Sequence, residues 1–440
     1  MEAMGKKSIA EIAKETGLSE DKIQKLLRKK KSDENKTLDS DELKLGRIDI
    51  KDKINKFFFI VVIASIVRFI PVLFGANFLD LYEQQAIPVL KGLNIYKATS
   101  NVFPYSPVSM FLPALCAYIS LLLKVPFYII MKAPAIIGDA FIAGSLYLII
   151  SEVDSGRNGY IWGLFYALNP ISLLITSFHG NLISIPTLFM FLSYAVLLFH
   201  EERNYRLSAL LLGLAIGFRG FPILLLPFFL LKLNQSFSKR LEYLAYAVIP
   251  TALSFLPFLI LDYQSVLKEV FAYSGFTDYG IIAILRGIYS IKHNILAYGL
   301  PDNIHLTFLA FTKTLFLIIY FLLIPNAKKF KLIDLIVLVF LLFYFIYGGI
   351  GSQYFIWLLP FIFLTKDKWL KFYMLLCTMA LAGFYYVYHP RILFGSSSYV
   401  KLPLRILLYN EVFWIGLLWI LCGFWAVRLF FTKEKRERFV

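Results

Sequence analysis

The chain has 440 residues, of which 59% are hydrophobic, 17% aromatic and only 17% charged, with a mean hydropathy of +0.68. That balance excludes a soluble globular protein and points to a polytopic membrane protein. A formal net charge of +16 invites a nucleic-acid reading, but the Lys and Arg residues mainly flank apolar runs, which fits orientation by the positive-inside rule and no nucleic-acid partner.

The first 50 residues are polar. "SIAEIAKETGLSEDKIQKLLRKKK" reads as two short helices joined at Thr-Gly-Leu-Ser, with Ser19 as N-cap, the outline of a helix-turn-helix. The expectation is a small cytoplasmic appendage (1–50) that docks a protein partner or meets the membrane surface through its basic run, followed by a flexible "SDENKTLDSDE" linker. No cleavable signal peptide is apparent, so the first apolar run would target the chain.

From Phe57 onward, apolar runs of about 20 residues recur, the length a bilayer core demands. They are continuous, not alternating, so they predict helices instead of barrel strands. About twelve spans are expected over 51–440, in an all-α membrane domain with helical outer loops and both termini cytoplasmic. The first span, 57–76, delivers a first outer loop, 77–107, which carries Asp80, Tyr82 and Glu83 in "FLDLYEQQAIPVLKGLNIY". Basic segments at 232–240, 326–331, 365–371 and after 431 are expected to be cytoplasmic, and 262–303 and 389–410 outside.

Residues 105–231 admit two arrangements. In one, 108–123 and 207–231 both span, which places His179 inside and "HEERNYR" outside. In the other, 108–123 lies at the outer interface and 207–231 breaks at "GFRGFP" into two half-spans. The second is preferred: it keeps the basic loop inside, and Gly217, Gly220 and Pro222 are helix breakers around an arginine.

Polar residues inside apolar runs are costly and mark structure or function. The candidates are Lys132, Asp139, Asn169, His179, Arg219, Gln353, His389 and Arg391. Lys132 and Asp139 are expected to contact neighbouring helices. In the preferred arrangement Asp80, His179, Arg219, Gln353, His389 and Arg391 share the outer side. One carboxylate with several donors suits transfer of a sugar from a lipid phosphate to a hydroxyl: the acid takes or orients the acceptor proton, and cations, protonated histidine included, offset charge on the departing phosphate. Each has a plainer reading: Asp80 a helix cap, Glu83 a solvated acid, His179 a packed helix-end residue, Arg219 a snorkelling side chain, and His389 and Arg391 members of an exposed loop. Cys116, Cys377 and Cys422 have no ligand spacing, so neither a metal site nor a disulfide framework is expected.

The acid after the first span, with Tyr82, Ala86, "KGLNIY" and "FPYSPVSMF", resembles the first outer loop of the GT-C glycosyltransferases, in particular the polyprenyl-phosphate-mannose-dependent mannosyltransferases. "LNPISLLITSFHGNLISIP", "LLGLAIGFRGFPILLLPFFLL" and "GSQYFIWLLP" resemble further stretches of that superfamily, the last resembling the GPI mannosyltransferases. The resemblance covers roughly 57 to 390. It implies a GT-C fold, Asp80 as catalytic base, Arg219, His389 and Arg391 toward the lipid phosphate, and Gln353 and Tyr354 lining the site. Tyr82, Glu83 and His179 join them as substrate-binding candidates. The implied reaction is inverting transfer of a hexose, mannose first, from a polyprenyl-phosphate sugar to a lipid-linked or glycolipid acceptor. No further cofactor is implied, and with Asp80 followed by Tyr82 before Glu83, a role for a divalent cation stays open. The expected location is the plasma membrane of an archaeon or bacterium, with the endoplasmic reticulum as the alternative. The rival function is a transporter or flippase of lipid-linked sugars.

Overall fold

The structure is a computed structural model that describes residues 50–74, 80–98, 104–271, 276–390, 393 and 403–432. The chain divides into two units, Met1–Phe58 and Phe59–Val440. The expected helix-turn-helix and its linker lie outside the described residues, and the side-chain contacts below belong to the second unit.

Among the described residues the protein is all-α, with one isolated bridge between Tyr279 and Ile350. Seven helices among the described residues are long and apolar enough to cross a membrane: Ile50–Leu73 (α1), Phe127–Val153 (α4), the stretch Gly159–Phe178 that opens with Gly159–Ala167 (α5), Phe237–Val270, Asp302–Lys329, Trp369–Tyr388 (α13) and Leu404–Phe431 (α14). Five shorter apolar helices accompany them, at Pro107–Leu123, Ser184–Phe199, Phe221–Lys232, Leu332–Ile346 and Ser352–Leu364. A polytopic membrane protein accounts for these lengths, with seven full-length candidates where about twelve spans were expected. Large side chains such as Leu121, Leu253, Ile260 and Leu322 stand exposed, an apolar exterior suited to lipid and not to water.

Asp80–Leu90 (α2) and Phe111–Leu123 (α3) lie between α1 and α4. On α3 the exposed Phe111, Leu115, Tyr118 and Leu122 recur at helical spacing and form one apolar stripe, while Ala114 and Cys116 are buried. After α5, Asn169 caps a short turn by accepting from the amides of Ile171 and Ser172. A π-helical stretch, Leu173–Phe178, follows. Gly180, at φ +74°, then turns the chain in a conformation that a Cβ would strain.

Ser184–Phe218 (α6) is helical throughout, yet it reverses direction. Ser193 Oγ donates to the Ser208 carbonyl at 2.8 Å and Ser208 Oγ to the Ser193 carbonyl at 2.9 Å, whereas fifteen residues of straight helix would hold them about 22 Å apart. The "HEERNYR" segment is therefore the bend of a helical hairpin, a helical turn where an irregular loop was expected. Gly213 lets the returning limb press on Phe237–Phe271 (α8): a Cβ there would come within 2.7 Å of the Ala247 carbonyl. The limb stops at Phe218. Arg219 is extended (φ −150°, ψ 134°), and a 3-10 turn, Phe221–Leu225, leads into Leu226–Lys232 (α7). The break expected at "GFRGFP" is thus present. Helix α8 breaks at Asp262 (φ −161°, ψ 75°), where the outer segment was expected to begin, and the Asp262 carboxylate caps the continuation through Ser265.

The rest of the bundle comprises Ile281–His293 (α9), Asp302–Asn326 (α10), Leu332–Ile346 (α11) and Phe355–Leu364 (α12), with α13 and α14. Helices α11 and α12 are almost wholly buried. They form the axis around which both cavities described below are built.

Candidate functional site

A cavity of about 450 Å³ opens beside the break after α6. Its lining includes Arg219 and Phe221 from the break, Lys313 from α10, Phe343 and Tyr347 at the end of α11, and Gln353, Tyr354 and Trp357 at the start of α12. Separate stretches of chain thus bring Arg219, Lys313 and Gln353 against a wall of rings. The wall is a stack: Phe221 lies 3.5 Å from Trp357 at 7°, and Trp357 lies 4.0 Å from Tyr354 at 21°. Among the described residues two cations line the cavity and no carboxylate does, a balance that favours an anion.

Arg219 is held rather than loose. Its guanidinium lies 3.6 Å above the Tyr105 ring, and Nη2 donates to the Tyr82 hydroxyl at 3.4 Å. That hydroxyl in turn accepts from the Leu182 amide at 3.3 Å. Ser106 Oγ donates to the Gly217 carbonyl, which ties the loop bearing Tyr105 to the helix end bearing Arg219. A small second cavity shares Tyr105 and Arg219 and is closed by Tyr82 and Gln85 from α2. The helix that begins with Asp80 therefore docks against the arginine. Burial, only partly offset by Arg219, pushes the Tyr82 phenol above its ordinary value, so it acts here as a neutral hydrogen-bonding group.

The sequence candidates fall into distinct places. Arg219, Gln353 and Tyr354 share the larger cavity, and Tyr82 reaches Arg219 from the smaller one. Asp80 opens α2 two residues before Tyr82; its side chain, and Arg391 entirely, lie outside the described residues. Glu83 is exposed and lines neither cavity. His179 and His389 belong to a neighbouring cluster. His179 Nδ1 hydrogen-bonds the Tyr385 hydroxyl at 2.9 Å, beside Lys132, whose ammonium donates to the Phe178 carbonyl at 3.0 Å. Burial, then the charges of His389 and Lys132, lower His179 to about 3. Burial and Arg286 lower His389 to about 4. Both rings are therefore neutral near pH 7, where the sequence reasoning assigned protonated histidine part of the positive charge; the cations at the cavity are Arg219 and Lys313.

Three residues of consequence escaped the sequence reasoning. Lys313 is a lone lysine inside the apolar α10, a signal of the same kind as Arg219. Asp278 accepts from the Ser352 amide at 3.1 Å. Burial raises its carboxyl although Arg286 and Ser352 oppose the shift. Ser352 also links to Tyr385, so a polar path runs from Asp278 past Gln353 to His179. Arg68 was the third: its Nε lies 2.6 Å from Asp139 Oδ2, with both side chains fully buried. Asp139 and Asn169 are thus structural, as a paired charge and a helix cap. Among the described residues no group of three or more His, Cys, Asp or Glu is arranged to hold a metal ion. Compared with known proteins, the chain matches no protein-family model and no curated protein.

Proposed function

We propose that the chain is an integral membrane, inverting hexosyltransferase of GT-C type that draws a polyprenyl-phosphate sugar, mannose first, from the bilayer and passes the sugar to a lipid-linked or glycolipid hydroxyl on the non-cytoplasmic face. The observation that carries this reading is the cavity with Arg219 and Lys313, no acid among its described lining residues and a stacked aromatic wall. A phosphate seats on the two cations, and the rings face the apolar side of a hexose or the first prenyl unit.

In the proposed reaction Asp80 takes the proton of the acceptor hydroxyl as its oxygen attacks the anomeric carbon. The bond from that carbon to the phosphate oxygen breaks, and its electron pair leaves with the prenyl phosphate. Arg219 and Lys313 offset the charge that develops there. Tyr82 holds Arg219 in place, and Gln353 and Tyr354 orient the sugar.

The test is transfer by the purified full chain in nanodiscs, with labelled polyprenyl-phosphate mannose and a glycolipid pool, comparing wild type with Asp80→Asn. Label in a glycolipid with wild type only is the expected result. Equal transfer by both proteins keeps the enzyme and removes Asp80 as base, leaving Asp278 as the next acid to replace. The helix broken at Arg219 is also what a carrier of lipid-linked sugars needs. Absence of transfer from every polyprenyl-phosphate sugar, with movement of lipid-linked sugar across proteoliposomes, would establish that second reading instead.

A further inference from the structure

Helix α11 is 15 residues long, about 22 Å. The cavity lined by Arg219 and Lys313 lies at its C-terminal end. A larger one, about 740 Å³, lies at the other end. It is rimmed by Lys232, Lys331, Lys366, Lys368 and Arg428, with Asp334 and Asp367 as its acids, and its depth is apolar, including Val153, Leu197 and Leu233. The proposed reaction uses none of these groups.

One acid of this rim is already engaged. Asp367 Oδ2 accepts from Trp425 Nε1 at 2.9 Å. Lys366 lies 3.2 Å from Asp154; burial works against that carboxylate, but hydrogen bonds from Arg157 and Lys366 hold it below the ordinary carboxylate range. Setting Lys366 aside with Asp154 still leaves twice as many cations as acids among the described residues of the lining. Arg428 Nη1 is buried and has no hydrogen-bond partner among the described residues, although its guanidinium lies 5.7 Å from the Trp369 ring. A buried guanidinium N–H without an acceptor costs free energy that an anionic oxygen would recover.

We propose that this cavity is a binding site for a phosphate-bearing group, its oxygens on Arg428 and the rim lysines and any attached chain along the apolar depth. The positive-inside rule assigns this end to the cytoplasm, so the group would come either from a lipid of the inner leaflet or from a soluble phosphate. The apolar depth favours the lipid. The inference does not depend on the transferase reading, because it concerns the opposite end of the bundle.

The test is lipid retention by the full chain, measured by native mass spectrometry from mixed phosphatidic acid and phosphatidylcholine nanodiscs, for wild type and for Lys331→Gln/Arg428→Gln. Wild type should retain phosphatidic acid preferentially, and the double variant should weaken it by about tenfold. Inorganic phosphate that displaces the lipid would identify a soluble phosphate as the ligand; failure to displace it would identify the lipid. Equal retention of both lipids, or retention unchanged in the double variant, would overturn the site. Should the variant not fold, a photoactivatable phosphatidic acid on wild type decides: adducts are expected on 331–334 or 364–368, and adducts elsewhere alone would overturn it.

Discussion

Arg68 and Arg219 are both arginines in an apolar frame, and they are accommodated in opposite ways. Arg68 is fully buried and saturated: it faces Asp139 at 2.6 Å and donates to the Ala64 and Ala167 carbonyls and to Ser172. Its partner accepts in turn from Tyr166 at 2.8 Å. Arg219 sits at a helix break, spread over the Tyr105 ring and one phenol, with its charge toward a cavity. A charge inside a membrane bundle is therefore not by itself a site. What distinguishes the two is that a cavity adjoins Arg219, whereas Arg68 is a brace enclosed by its partners.

The largest expected effect tests the brace. Removing one member of a fully buried pair leaves the other charge unpaired, a cost of about 3–5 kcal/mol. Arg68→Ala or Asp139→Ala should abolish monodisperse protein in detergent, whereas Arg68→Met/Asp139→Leu should restore much of it, read by size-exclusion profile and thermal midpoint. Single variants as stable as wild type would remove the brace. Arg219→Ala inverts the pattern: the protein should lose only about 1 kcal/mol with the ring contact, but sugar transfer should fall about 100-fold. Arg219→Lys, which keeps the charge but not the planar fork, should lose less. If Arg219→Ala unfolds the protein as Arg68→Ala does, the two arginines share one role.

How far the sequence speaks follows the same division. The helical membrane class was legible because 20-residue apolar runs have one reading in lipid. The break at Arg219 was legible from Gly217, Gly220 and Pro222, whose backbone chemistry is local. The reversal of α6 was only half legible: its basic bend stood out, but its reciprocal Ser193 and Ser208 bonds join residues fifteen apart, which no period reveals. The Arg68–Asp139 pair joins residues 71 apart, and Asp278 reaches the site through Ser352, 74 residues away. Partners of that kind are set by packing, not by spacing. His179 was legible as a candidate but not as a neutral ring, since its burial depends on Tyr385 and Lys132.

That neutral ring gives the smallest of the expected effects and sharpens the comparison, because it is a polar group kept uncharged where Arg68 is kept charged. His179 is lowered to about 3 in the folded chain by burial, then by His389 and Lys132; unfolded, it titrates near 6.5. Below pH 6.5 the unfolded chain binds a proton that the folded chain refuses, so stability falls as pH drops from 6.5 toward 3 and is flat above about pH 7. At pH 5 the loss from this residue is about 2 kcal/mol. The thermal midpoint in detergent should therefore drop between pH 7 and pH 5. His179→Gln, which can still bond the Tyr385 hydroxyl but cannot be protonated, should flatten much of that slope, and His389, lowered to about 4, should supply what remains. A slope unchanged in His179→Gln would mean that the ring already carries its proton in the folded chain. It would then belong with Arg219 and Lys313 as a source of positive charge.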